Sequence, residues 1–216
     1  MRVIRAEARF EGSPDGKAIL RIIESAGRVC YKSEDKITDD SAEAFVRRLI
    51  RSGHESVLEH ASLQARIICD RGVSHELVRH RLASYSQEST RYCNYSQGKH
   101  GHEITVIEPA WLASEAAGHN ARVVWWSAMV SAEQAYFHLL DLGWTPQQAR
   151  SVLPNSLKTE VVMTANIREW RHFFRLRCAK AAHPQMQEVA AQLLAQAEKI
   201  APVLFEDVVE ALRKEA

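Results

Sequence analysis

Arginines set among hydroxyls are the feature of this chain with the clearest chemical use. The run Arg79-His80-Arg81-Leu82-Ala83-Ser84-Tyr85-Ser86-Gln87-Glu88-Ser89-Thr90-Arg91-Tyr92 holds three arginines within 13 residues. Guanidinium groups grip phosphate oxygens in bidentate fashion, and hydroxyls and loop amides complete an oxyanion shell. On a helix running to about Ala83, residues Arg79, His80 and Arg81 stand roughly 100° apart. They then reach toward two ligands, or toward two halves of one. Charge alone fits a solvated basic helix end equally well, because cations are favoured at helix C-termini. A second set follows the pattern i, i+3, i+7: Arg168, Arg171 and Arg175, with His172 between them and Arg177 just beyond. Most of these read as the wet basic face of an amphipathic helix, with one or two turning inward. Arg150, ahead of Ser151-Val152-Leu153-Pro154, is a third and isolated candidate.

Other chemistries lack their residues. There is no GxGxxG and no GxxxxGK[ST], so side chains rather than a glycine loop must hold any phosphate. His75-Glu76-Leu77-Val78-Arg79-His80 resembles HExxH, but its second histidine is one position too late. On a helix the two imidazoles would point about 140° apart, and arginines flank His80, so no metal site is expected. The histidines of His54-Glu55-Ser56-Val57-Leu58-Glu59-His60 read as structural. No GxSxG elbow is present, and no local context marks Cys30, Cys69, Cys93 or Cys178 as a nucleophile.

These residues need a scaffold, and the apolar periodicity supplies one. Arg2–Phe10 reads as a strand. Residues 41–51 read as a helix capped by Asp40, with Glu43 closing a capping box and Gly53 ending it. Ala61–Cys69 alternates as a half-buried strand with Leu63, Ala65 and Ile67 inward. A helix is expected from Val73 to about Ala83, then a loop over 84–101, then a strand Glu103–Ile107 closed by Pro109. Residues 112–142 form a long helical pattern through Val123, Trp126, Val130, Ala135 and Leu139, ended by Gly143. Thr145, Pro146 and Gln148 then place an N-cap, a proline at N1 and a capping-box glutamine, and Pro154 stops that helix. Lys158–Ala165 reads as a strand, and Asn166 with Glu169 as the capping box of the next helix. Pro184 opens a last helical region that Pro202 breaks. Trp125, Trp126 and Trp170 are expected in the core. Long helices with a small mixed or antiparallel sheet, in no regular alternation, make the class α+β.

Composition agrees with one soluble domain over residues 1–216. The chain is 46% hydrophobic and 25% charged, with 28 Lys and Arg against 27 Asp and Glu. A net charge of +1 argues against a protein that coats nucleic acid or an anionic membrane, so anion recognition must be local. MRVIRAEARF contains no apolar stretch of a secretory signal, and no run reaches membrane-spanning length. Four scattered cysteines without a CxxC pair suit a reducing cytoplasm.

The run RHRLASYSQESTRY resembles the signature of the flavin-dependent thymidylate synthases, RHRxxSxNxxSxRY. Arg79, His80, Arg81, Ser84, Ser89, Arg91 and Tyr92 match it, whereas Ser86 replaces its Asn and Gln87 stands where many members carry Glu. GHESVLEH (53–60), ARSVLP (149–154) and TANIREWRHFFRLR (164–177) are similar to other blocks of the family. The resemblance implies reductive methylation of dUMP to dTMP, with carbon from methylenetetrahydrofolate and reducing equivalents from NADPH through FAD. It implies homotetramers whose active sites lie at subunit interfaces, and neither a nucleic-acid nor a membrane partner. It assigns Ser56, Arg79, His80, Arg81, Gln87, Asn166, Ile167, Arg168 and His172 to the flavin. Glu76, Arg79, Gln87, Glu88, Ser89, Thr90, Arg91, Arg150 and Arg177 fall to dUMP. Arg177 matches the arginine that polarises the uracil and favours its N3-ionised form. The rival readings are another nucleotide-binding flavoprotein and a non-catalytic nucleotide- or RNA-binding module.

Overall fold

The computed structural model describes residues 1–98, 101–113 and 118–215. By its internal contacts the chain divides into two compact units. One comprises Met1–Glu7, Ile67–Arg79 and Ser86–Val161; the other comprises Ala8–Arg66, His80–Tyr85 and Val162–Ala216. The class is α+β, as the sequence predicts. Strands β2 (Glu7–Phe10), β3 (Ser62–Asp70), β4 (Ala83–Gln87) and β6 (Lys158–Asn166) form one sheet in the order β2-β3-β6-β4, and β1 (Arg2–Ile4) with β5 (Thr105–Ile107) forms another.

In the first unit β1 and β5 are parallel, with Val3 opposite Val106. The expected Arg2–Phe10 strand is thus two strands of different sheets, broken at Arg5–Ala6. Helix α3 (Arg71–Leu77) starts where Asp70 Oδ1 accepts from the Val73 amide at 2.9 Å. It ends at Leu77, well short of Ala83, so Arg79 lies in a turn and Ala83–Gln87 is strand β4 rather than helix end and loop. Helix α4 (Gly118–Asp141) and the short α5 (Pro146–Ala149) follow. The Thr145–Gln148 capping box forms as the sequence predicts, although α5 stops at Ala149, before Pro154. Tyr95, Ile104, Val106, Met129, Tyr136, Ala149 and Leu157 make the core of this unit. Only Met129 and Tyr136 of α4 are buried, and Trp126 is 50% exposed rather than a core residue. Residues 114–117 of the expected 112–142 helix, and 99–100 of the expected loop, lie outside the described residues.

In the second unit, helix α1 (Gly16–Val29) is an element the sequence reading missed, although Asp15 caps it by accepting from the Lys17 and Ala18 amides. A Cβ on Gly16 would meet the Ile200 carbonyl, so only glycine lets the two backbones approach. Helix α2 (Ser41–Arg51) forms as expected, but the Asp40 side chain makes no cap bond; the Ser41 hydroxyl instead donates to the buried Glu24 carboxylate. Helices α6 (Ile167–Arg177), α7 (Pro184–Ile200) and α8 (Glu206–Glu215) complete the unit, with Pro202 ending α7 in a 3₁₀ turn. Phe10, Trp170, Phe173, Phe174 and Phe205 interlock edge-to-face and stacked as its aromatic core. The Trp170 indole N–H donates to the Leu63 carbonyl at 3.1 Å, which registers α6 against β3.

Candidate functional site

In the second unit the chemistry gathers around His80. Asn166 caps α6, its Oδ1 accepting from the Glu169 amide at 2.9 Å. The Glu169 carboxylate does not complete the box that the sequence suggests. It turns inward, and its Oε1 lies 2.8 Å from His80 Nδ1. On the other side of the ring, Arg177 Nε donates to His80 Nε2 at 3.0 Å. The His80 ring packs edge-on against Phe173 and His172, and the Tyr85 hydroxyl donates to the His80 carbonyl at 2.7 Å. Burial pushes the His80 pKa below its ordinary value; Glu169 opposes that shift, and the Arg177 cation reinforces it. The ring is therefore neutral at physiological pH. His80, Glu169 and His172 present ligand atoms within 4.8 Å of one another. Both His80 nitrogens are already engaged, however, and one faces a cation, which is poor ground for a divalent metal. The rotation argument against a His75–His80 metal pair does not apply, because His80 is not on the helix.

Arg171 is the inward-turning arginine of α6. Fully buried, it donates to both Asp207 oxygens at 2.7 and 2.8 Å, to Glu55 at 2.9 Å and to the Leu204 carbonyl. Burial alone would raise the Asp207 pKa, but Arg171 and Arg175 outweigh it and hold that carboxyl below its ordinary value. Arg168 stays exposed and pairs with Glu59 at 2.6 Å. Ser56, Arg81 and His172 are exposed, Ile167 is buried, and Arg81 makes no ion pair among the described residues.

In the first unit the Ser89–Tyr92 segment meets α5. Arg150 Nη1 donates to Thr90 Oγ1 at 3.0 Å, and Arg91 Nε donates to Gln147 Oε1 at 2.9 Å. Thr90, Gln147 and Arg150 line a cavity of about 450 Å³ together with Arg71, Ser151 and Asn155. Arg71 is the residue that sequence reasoning missed, because a single arginine at a helix start carries no motif. The Gln87 amide donates to Ser74 Oγ at 3.0 Å and to Thr159 Oγ1 at 3.1 Å, two bonds in which a Glu would have no proton to offer. Glu88 is held by Lys158 at 2.8 Å. The Ser89 hydroxyl accepts from the Arg91 amide at 3.3 Å. Arg79 is exposed just past α3, its amide donating to the Glu76 carbonyl at 3.2 Å. Each unit thus gathers its own share of the expected residues: Arg91 and Arg150 in one, His80 and Arg177 in the other.

Two of the four cysteines are poorly placed for thiolate chemistry. Burial raises the Cys69 thiol pKa far above its ordinary value and pushes Cys178 up to about 12, so neither is a ready thiolate. No helix among the described residues is long and apolar enough to cross a membrane.

The family model described as thymidylate synthase complementing protein matches residues 17–203. The chain is 37% identical over 207 residues to a flavin-dependent thymidylate synthase of Geobacter sulfurreducens, covering 93% of this chain and 85% of the relative. It is 34% identical over 212 residues to one of Corynebacterium aurimucosum, with 91% and 82% covered. Among solved structures it resembles a UMP/dUMP methylase, PolB, from Streptomyces cacaoi bound with 5-Br dUMP. That likeness has a TM-score of 0.79 and 25% identity, over 100% of both chains.

Proposed function

This chain belongs to the flavin-dependent thymidylate synthase family, and on that premise we propose that it converts dUMP to dTMP. Methylenetetrahydrofolate supplies the carbon, NADPH the electrons and FAD the bound flavin. This set balances: the methylene carbon replaces the C5 hydrogen of the uracil, which leaves as a proton, and the two electrons that turn methylene into methyl come from NADPH. The folate then departs as tetrahydrofolate. The observation that carries the reading is the cavity lined by Thr90, Gln147 and Arg150. Its size suits a mononucleotide, and the hydrogen bonds of Arg91 and Arg150 run to neutral oxygens. A phosphate dianion offers both guanidiniums stronger, charge-assisted bonds than Gln147 and Thr90 do.

The residues also fit a flavin by the chemistry of their donors. Arg79 and Arg81 are exposed guanidiniums with no ion pair among the described residues, which is what a pyrophosphate requires. Ser56, His80, Asn166, Ile167 and His172 belong to that proposed set, and Gln87 is assigned to both ligands. Arg168 would exchange its exposed Glu59 partner, a pair of little net worth, for a phosphate. When bound, FAD relays the reducing equivalents of NADPH. The protein binds and orients: Glu76, Glu88 and Ser89 border the nucleotide, and the Arg177 guanidinium stabilises the negative charge of an N3-ionised uracil.

The chain works as one domain over 1–216, in line with a family match that runs through both units. It acts as a homotetramer with active sites at subunit interfaces. Val123, Val124 and Trp126 support this, since they leave an apolar face of α4 48%, 69% and 50% exposed. Its location is cytoplasmic, a reading that four free cysteines favour. Partnership with nucleic acid or membrane is no part of this function.

A spectroscopic titration tests the reading. Purified protein, reconstituted with FAD, is expected to show a flavin band that dUMP perturbs at saturable concentration, and the perturbation should vanish in Arg150→Ala. A protein that stays colourless after reconstitution overturns the proposal.

A further inference from the structure

Resting on the reading of Arg177 as the group that faces the uracil, we propose that Glu169 is a positioning residue. Acting through His80, it fixes the plane of the Arg177 guanidinium. The argument begins with the burial of a carboxylate. Glu169 is 6% exposed and lies on α6 beside Trp170 and Phe173. Placing a carboxylate in such surroundings costs several kcal/mol unless it is hydrogen-bonded. A capping box would have satisfied it at the surface, yet it points to an imidazole instead.

The proton inventory then leaves one arrangement. The Arg177 Nε–H can only donate, so His80 Nε2, 3.0 Å away, must be the unprotonated acceptor. The ring proton therefore sits on Nδ1 and is donated to Glu169 Oε1 at 2.8 Å. The other neutral tautomer would set two N–H groups against each other on one side and a lone pair against a carboxylate on the other. A charged ring would also lose the Arg177 bond. Glu169 thus selects the tautomer that can hold Arg177, as the carboxylate of a histidine-based relay fixes which nitrogen is free to act. Because the Nε–H lies in the guanidinium plane, that bond orients the whole fork. Phe173 packs against the ring at 5.0 Å between centroids and 63°, and the Tyr85 bond to the His80 carbonyl fixes the main chain that carries it.

The test uses the full-length, FAD-loaded enzyme. Nitrogen-15 NMR of the His80 ring, assigned by its loss in His80→Gln, is expected to show a neutral imidazole protonated on Nδ1. A proton on Nε2, or a charged ring at neutral pH, overturns the proposal, and this readout needs no variant of Glu169 to fold. In turnover, Glu169→Ala is expected to lower kcat about 10–100-fold while the KM for dUMP moves less than about threefold. Glu169→Gln, whose carboxamide oxygen still accepts from Nδ1, is expected to recover kcat to within about threefold of wild type. A Gln variant as damaged as the Ala variant contradicts the relay. On an Arg177→Ala background the same Glu169→Ala change is expected to do nothing further, since both act through one group; a second, multiplicative loss overturns it. The two claims fail separately. Normal turnover in Arg177→Ala removes Arg177 from the chemistry, whereas a crippled Arg177→Ala beside an unaffected Glu169→Ala removes only the relay.

Discussion

Arg91 and Arg150 in one unit and Arg171 in the other are the same side chain put to opposite uses. Arg171 is fully buried and bonded to Asp207, Glu55 and a backbone carbonyl. Its charge is neutralised, and it ties α6 to the Pro202–Phe205 turn and the start of α8. Arg91 and Arg150 are exposed and bonded to an amide oxygen and a hydroxyl. Those partners orient a guanidinium without cancelling its charge. The partners of these arginines separate them more clearly than a shared residue type does. Among these three, carboxylates surround the arginine that holds the fold together, and neutral oxygens hold the two proposed to meet the nucleotide; Arg168, paired with the exposed Glu59, stands outside the contrast.

Substitutions can break or sharpen this contrast. The largest effect is expected at Arg177, where Arg177→Ala should cost about 10²–10³-fold in kcat, as loss of one transition-state donor does elsewhere. The protein should still fold and retain its flavin; steady-state kinetics beside a flavin spectrum check this. Next, Arg150→Ala should raise the KM for dUMP about 10–100-fold, the worth of a charge-assisted bond, without lowering the melting temperature. Arg171→Ala should do the reverse. It removes the partner of partly buried carboxylates at a cost of about 3 kcal/mol, the low end for buried pairs because Asp207 stays 42% exposed. Calorimetry should show a lower melting temperature, with KM unchanged for the molecules that remain folded.

A smaller effect concerns acid. His80 is neutral in the native state, with its pKa held below the ordinary histidine value by burial and Arg177 against Glu169. Arg79 and Arg81 flank it in the chain, and His172 and Tyr85 also face it. Between the native pKa and about 6.5 the unfolded chain binds more protons, so stability falls as pH drops through that window. His80→Gln should flatten this part of a denaturation-against-pH curve. The smallest effect is expected at the cysteines, where Ala at Cys30, Cys69, Cys93 or Cys178 should leave kcat within about threefold, because burial keeps Cys69 and Cys178 protonated. An essential cysteine would contradict the flavin-based chemistry.

Much of this contrast was legible beforehand, and the exceptions have physical causes. Strands β3 and β6 and helices α2, α6 and α7 follow from alternation, proline position and apolar period. Helix α1 is absent from the sequence reading although Asp15 and the spacing of Ile19, Leu20 and Ile23 announce it. In α4, an apolar period reads alike whether the face meets a core or waits for another chain, so Trp126 was expected inside and lies half exposed. Periodicity puts residues 79–81 on a helix because nothing local shows that α3 ends at Leu77. Their divergence survives for a different reason: His80 is drawn inward by Glu169 and Arg177, partners 89 and 97 residues away. Glu169 was hidden in plain view as a capping-box residue. Spacing along a chain cannot show which of two available partners a carboxylate takes.

The central claim can be tested by one assay: release of tritium from C5 of labelled dUMP by the FAD-loaded enzyme with NADPH, with and without methylenetetrahydrofolate. Tritium release matched mole for mole by dTMP, and dependent on the folate, is the expected result. Full flavin reduction by NADPH with dUMP left unmethylated in the presence of folate would contradict the assignment.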